Sequence, residues 1–102
     1  MMPKPAQLYL GQRCLQTPDG HDYKGDVTFT RRGRACLRWD TPPNGASPLP
    51  LARFPDVSLS EAGSKCRNPT GFNTSQPWCY VDEASGQDWE YCHVPPCGEF
   101  AS

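Results

Sequence analysis

The chain lacks most of what an enzyme, a metalloprotein or a membrane span would need. Its 102 residues hold only two histidines, His21 and His93, and no G-x-S-x-G, H-E-x-x-H or phosphate-binding loop occurs. Independent catalysis is therefore not expected, since a site needs a positioned nucleophile, acid or base. No C-x-x-C pair is present, and Cys92 to Cys97 with His93 between them follows no usual zinc spacing, so neither a metal nor another cofactor is expected. No apolar run is long enough to span a bilayer. A net charge of -1 offers no basic excess for nucleic acid. Sustained helical periodicity is missing too, which leaves a mostly irregular chain with a few short antiparallel strands.

What is present is cysteine and proline, six and twelve respectively. With 36% hydrophobic residues the apolar core is thin, and a small scaffold of this kind needs covalent staples. A native disulfide in a small secreted domain contributes about 2–5 kcal/mol, comparable to the net stability of a whole domain. An even number of closely spaced cysteines places the chain in an oxidising compartment, as a secreted protein or the ectodomain of a cell-surface protein.

Residues 1–13 read as a linker or expression leader. They contain no apolar core of a signal peptide, so the chain is expected to be a piece of a larger extracellular protein. Residues 14–97 are expected to form one domain, and 98–102 to be a tail, either native or partly vector-derived. Within the domain, Pro18-Asp19-Gly20 and Lys24-Gly25-Asp26 are turns, and Val27 to Thr30 alternates as a short strand. Lys24-Gly25-Asp26 is also an integrin-type tripeptide, a match short enough to arise by chance. Arg31, Arg32, Gly33 and Arg34, with Arg38 beyond Cys36, make the one basic cluster, either a solvated turn or a surface for a heparin-like polysaccharide. Trp39 reads as core. Thr41 to Pro55 is too rich in proline for a long helix or central strand, with Leu49, Leu51 and Phe54 as its candidates for burial. Asp56 to Lys65 reads as a polar surface loop.

The chain is organised around Cys66 to Cys97. Side chains on a strand alternate between faces, so Trp78 and Tyr80 share one face while Cys79 and Val81 share the other. Trp89 and Tyr91 likewise lie together, opposite Glu90 and Cys92. Asp82 to Asp88, with Ser85-Gly86 near its centre, has the composition of a hairpin loop. If the two segments pair, the cysteines point inward and the aromatic rings form an outward ledge, unless they are simply core.

Asp22-Tyr23-Lys24-Gly25, Gly33-Arg34-Ala35-Cys36, Cys66-Arg67-Asn68-Pro69, Pro77-Trp78-Cys79-Tyr80 and Trp89-Glu90-Tyr91-Cys92, set among six cysteines from Cys14 to Cys97, resemble a kringle domain. The resemblance implies a small disulfide-rich fold with bridges Cys14–Cys97, Cys36–Cys79 and Cys66–Cys92. It implies a non-catalytic extracellular protein-interaction module. Members that bind lysine use an aromatic trough, and Trp78, Tyr80, Trp89 and Tyr91 fall on matching positions.

The charged ends depart from that pattern. Thr70-Gly71-Phe72 stands where lysine-binding members place Asp-x-Asp, and Asp88 stands where they place a basic residue. Binding of free or C-terminal lysine is therefore expected to be weak or absent. Asp82, Glu83, Asp88 and Glu90 either attract a basic side chain or only solubilise the hairpin. Asn73-Thr74-Ser75 is a glycosylation sequon in the loop that lacks the acids. Lys65 replaces an aromatic residue usual before the third cysteine. Leu51 to Asp56 resembles kringles of orphan-receptor tyrosine kinases; a mosaic secreted protease, with the domain as a docking module or spacer, is the competing parent. The partner is expected to be a protein of unknown identity.

Overall fold

Two crossed disulfides form the centre around which the rest of the chain is wrapped. The structure, a computed structural model, describes residues 14–82 and 87–97. The leader at 1–13, the tail at 98–102 and the middle of the hairpin loop, with Glu83, Ser85 and Gly86, lie outside the described residues. The bridges are Cys14–Cys97, Cys36–Cys79 and Cys66–Cys92, as the resemblance implied. The sulfurs of Cys36, Cys66, Cys79 and Cys92 all lie within 4.8 Å of one another, stacked as two bridges. Cys14–Cys97 closes the domain at its ends, where Leu15 N–H donates to the Pro95 carbonyl and Cys97 N–H to that of Leu15, each at 2.8 Å.

The aromatic segments pair. Strand β1 (Trp78–Tyr80) runs antiparallel to β2 (Trp89–Tyr91), with Trp78 opposite Tyr91, Cys79 opposite Glu90 and Tyr80 opposite Trp89. Arg67 extends the ladder beside Trp78, and Leu37 N–H donates to the Tyr80 carbonyl. A second narrow hairpin forms from residues 28–36. Phe29 bridges Ala35, and Gly33, at φ 81°, makes the turn with the help of the Thr30 hydroxyl, which accepts from the Arg32 and Arg34 amides.

The interval 56–65 is not the plain surface loop its polarity implied. It holds a one-turn helix α1 (Leu59–Ala62), capped by the Ser58 hydroxyl, which accepts from the Glu61 amide at 3.1 Å. Ala62 is fully buried. Asp56 is buried as well, because Arg67 reaches it from the opposite side: Nε and Nη2 donate to its two carboxylate oxygens at 2.9 and 3.0 Å. Arg67 Nη1 donates to the carbonyls of Gly25 and Cys66, so four of its hydrogen bonds are made inside the fold. This arginine ties the 25, 56 and 66 segments together. Gly25, at the centre of the integrin-type tripeptide, is itself buried.

Trp39 is core, as expected. It packs edge-on against Phe54 and Trp78 at 5.1 and 5.0 Å, and its indole N–H donates to the Lys65 carbonyl at 2.7 Å. Lys65 itself points back to the α1 carbonyl of Glu61. Of the three expected burials upstream, Phe54 is buried and Leu49 partly so, whereas Leu51 is exposed at the start of a 3-10 turn, Leu51–Arg53. No helix among the described residues is long and apolar enough to cross a membrane.

Candidate functional site

The side chains of β1 and β2 that point away from the disulfides make an aromatic platform, but not an open ledge. Trp78 is only 5% exposed and forms its floor. Trp39 covers one side of Trp78 and Tyr80, a contact from a segment some forty residues upstream that strand alternation does not register. Tyr80, Trp89 and Tyr91 are half-buried around that floor. Their rings meet edge to face: Trp78 to Tyr80 at 5.3 Å, Trp78 to Trp89 at 5.6 Å, Trp89 to Tyr91 at 5.1 Å. The buried Trp78 indole N–H has no acceptor among the described residues.

At the Trp78 end the Thr70-Gly71-Phe72 turn carries a ring and draws in a cation. Phe72, 42% exposed, stands edge-on to Trp78 at 6.1 Å. The Arg53 guanidinium lies 5.6 Å from the Phe72 ring centroid and donates to the Thr70 carbonyl at 2.9 Å. Glycine at 71 permits this approach, since a Cβ there would sit 1.8 Å from Arg53 Nη1 and the backbone is at φ 95°. At Tyr91 a second arginine closes the border: Arg31 lies 5.5 Å from the ring centroid and donates to Gln76 Oε1. Phe72, Arg53 and Gln76 were not among the site residues expected from the sequence, where Phe72 figured only as a departure from the lysine-binding pattern. The only signal there was the absence of the two acids.

At the opposite end Asp88 lies beside Tyr80. Burial pushes the Tyr80 hydroxyl above its ordinary pKa, and the Asp88 charge adds to the shift. Charge is thus distributed with arginines by Phe72 and Tyr91 and a carboxylate by Tyr80.

The basic cluster divides between environments. Arg34 pairs with Glu90 at 2.9 Å and donates to the Asp82 carbonyl at 2.7 Å. Arg38 makes two 2.9 Å hydrogen bonds to Asp40. Arg31 and Arg32 form no ion pair among the described residues. Burial would raise the Glu90 carboxyl, but the Thr30 hydroxyl and Arg34 guanidinium beside it outweigh that and hold it below its ordinary value. A carboxyl lowered in the folded state contributes stability that is present above its unfolded value and lost as pH falls through the folded one. Urea midpoints measured from neutral pH downward should therefore drop on acidification, and Glu90→Gln should flatten that drop. An identical acid profile for the variant would refute the assignment.

Asn73 is exposed next to Phe72. The following Thr74 hydroxyl donates to Asn68 Oδ1 at 2.6 Å, Asn68 Nδ2 donates to the Asp19 carbonyl, and the Ser75 amide donates to the Tyr91 hydroxyl at 3.3 Å. The sequon is therefore fixed against the rim of the platform. A family model of the kringle domain matches residues 14–97, the span between the outermost cysteines. With that match and three bridges in the family's pairing, the chain belongs to the kringle family.

Proposed function

We propose that the platform receives a segment of a protein partner and that it does not hold a lysine side chain. Kringle domains are generally non-catalytic protein-interaction modules and are typically extracellular. What carries the finer reading is Arg53, whose guanidinium lies against Phe72 where lysine-binding members set a pair of acids. An ammonium brought to that end meets a like charge in place of a charge-assisted acceptor. Trp89, Tyr80 and Tyr91 still offer a rigid, half-exposed apolar surface at little entropic cost, the kind of anchor enriched in protein interfaces. Asn73 is the proposed glycan site, and a sugar there stands at the edge of this surface.

Heparin-like binding through Arg31, Arg32, Arg34 and Arg38 has less support, because Arg34 and Arg38 are already engaged with Glu90 and Asp40. Elution from heparin at or below about physiological salt is expected on the protein-partner reading. Titration with 6-aminohexanoic acid, followed through the indole signals of Trp39, Trp78 and Trp89, is expected to leave all three unmoved at millimolar ligand. Saturable shifts of Trp78 and Trp89 alone would sink the reading and return the domain to lysine binding. Trp89→Ala is expected to abolish capture of a protein partner while the backbone amide spectrum stays dispersed. Unchanged partner binding by that variant would remove the platform from the interface.

A further inference from the structure

The platform does not end at Tyr91. Arg31 N–H donates to the Tyr91 carbonyl at 3.0 Å, which lays the 29–31 segment beside the end of β2. Alternation then sorts the side chains: Thr30 turns inward and is 2% exposed, while Phe29 is 57% exposed and Arg31 is exposed. Two residues beyond Tyr91, His93 is exposed as well. Phe29, Thr30, Arg31 and His93 line an open groove of about 550 Å³. None of these lining residues is acidic; Glu90 lies behind Thr30, buried and already paired with Arg34.

We infer that this groove is a second subsite, which takes an acidic residue of a protein segment together with an apolar neighbour. Arg31 supplies the charge for the carboxylate, His93 a ring N–H beside it, and the exposed Phe29 ring the wall for the apolar side chain. Gln76 accepts from the Arg31 guanidinium and Tyr91 lies under it, so the cation is held in place before a ligand arrives. The same composition disfavours a sulfated polysaccharide. Such a chain needs several cations in a row and gains nothing from an exposed phenylalanine, whereas the neighbouring Arg34 and Arg38 already face carboxylates. The inference rests on the platform reading for the course of the segment across Trp89 and Tyr91, but not for the chemistry of the groove.

The test is an NMR titration of the oxidised, isotope-labelled chain with the peptide acetyl-Asp-Phe-Asp-amide, read at the His93 imidazole, the Phe29 ring and the Arg31 Nε–H. Saturable shifts at all three are expected, with none from acetyl-Lys-Phe-Lys-amide. Loss of one charge-assisted contact should make Arg31→Gln about tenfold weaker, and Phe29→Ser, at an exposed site, should weaken binding without unfolding. Silence at millimolar acidic peptide, an equal response to the lysine peptide, or full affinity in Arg31→Gln would overturn the subsite. So would a heparin tetrasaccharide that shifts these signals when the acidic peptide does not. The Trp89 indole separates the two readings: groove shifts with Trp89 unmoved support the groove and count against the platform, and the reverse eliminates the groove alone.

Discussion

The double variant Cys66→Ala, Cys92→Ala is expected to have no folded state at about 37 °C. Both residues are fully buried, and their bridge closes 26 residues of chain. Cross-linking a loop of that size removes chain entropy from the unfolded state worth about 3.5 kcal/mol. Loss of the sulfur pair also leaves a void beside Cys36–Cys79, which lies 3.7 Å away between Cys36 and Cys66 sulfurs. Together these approach the net stability of a domain this small, about 5 kcal/mol at the low end. Near-ultraviolet circular dichroism and dispersed methyl signals provide the readout. Retention of both, with a melting temperature within a few degrees of the parent, would show that the wrapped loops hold the fold without the central bridge.

Arg67→Met should be nearly as damaging, for a different reason. It leaves the Asp56 carboxylate buried with no counter-charge, and breaking such a pair costs about 3–5 kcal/mol. It also strips donors from the Gly25 and Cys66 carbonyls. Converting both partners, Asp56→Leu with Arg67→Met, should recover part of the loss, because no lone charge remains to be desolvated. Recovery cannot be complete while the two carbonyls lack their donor. A denaturation cycle on the two single variants and the double measures the coupling. If the double is as unstable as the sum of the singles, the pair is not coupled and Arg67 acts only through the carbonyls.

How much of this was legible depended on the range over which each feature is determined. The need for staples was readable from the cysteine count, but their pairing only through the resemblance to kringle domains, since six cysteines allow fifteen pairings; alternation by itself set Cys79 and Cys92 opposite the aromatic side chains of their strands. The pairing of Trp78-Cys79-Tyr80 with Trp89-Glu90-Tyr91 was readable as well, since two short aromatic strands joined by a polar loop have few ways to close. The Asp56–Arg67 pair was not. Aspartate in a polar run reads as solvent-facing, and only the fold brings an arginine eleven residues away into its interior. The helix at Leu59–Ala62 was missed because one turn is too short to show a period, although Ser58 and Glu61 stood at capping spacing.

Residue type and local spacing were enough for the need for covalent staples and for the two aromatic segments, because both are local properties of the chain, while the pairing of the cysteines and the departure at Thr70-Gly71-Phe72 could be read only against the kringle pattern. What surrounds the platform at that turn was set by long-range contacts. Arg53 reaches Phe72 from the upstream 3-10 turn, Arg31 reaches Tyr91 from the second hairpin, and Trp39 makes Trp78 a floor. Ring and guanidinium contacts of this kind depend on which segments the disulfides force together, and their sum sets the polarity of the platform, a quantity with no counterpart in the order of residues.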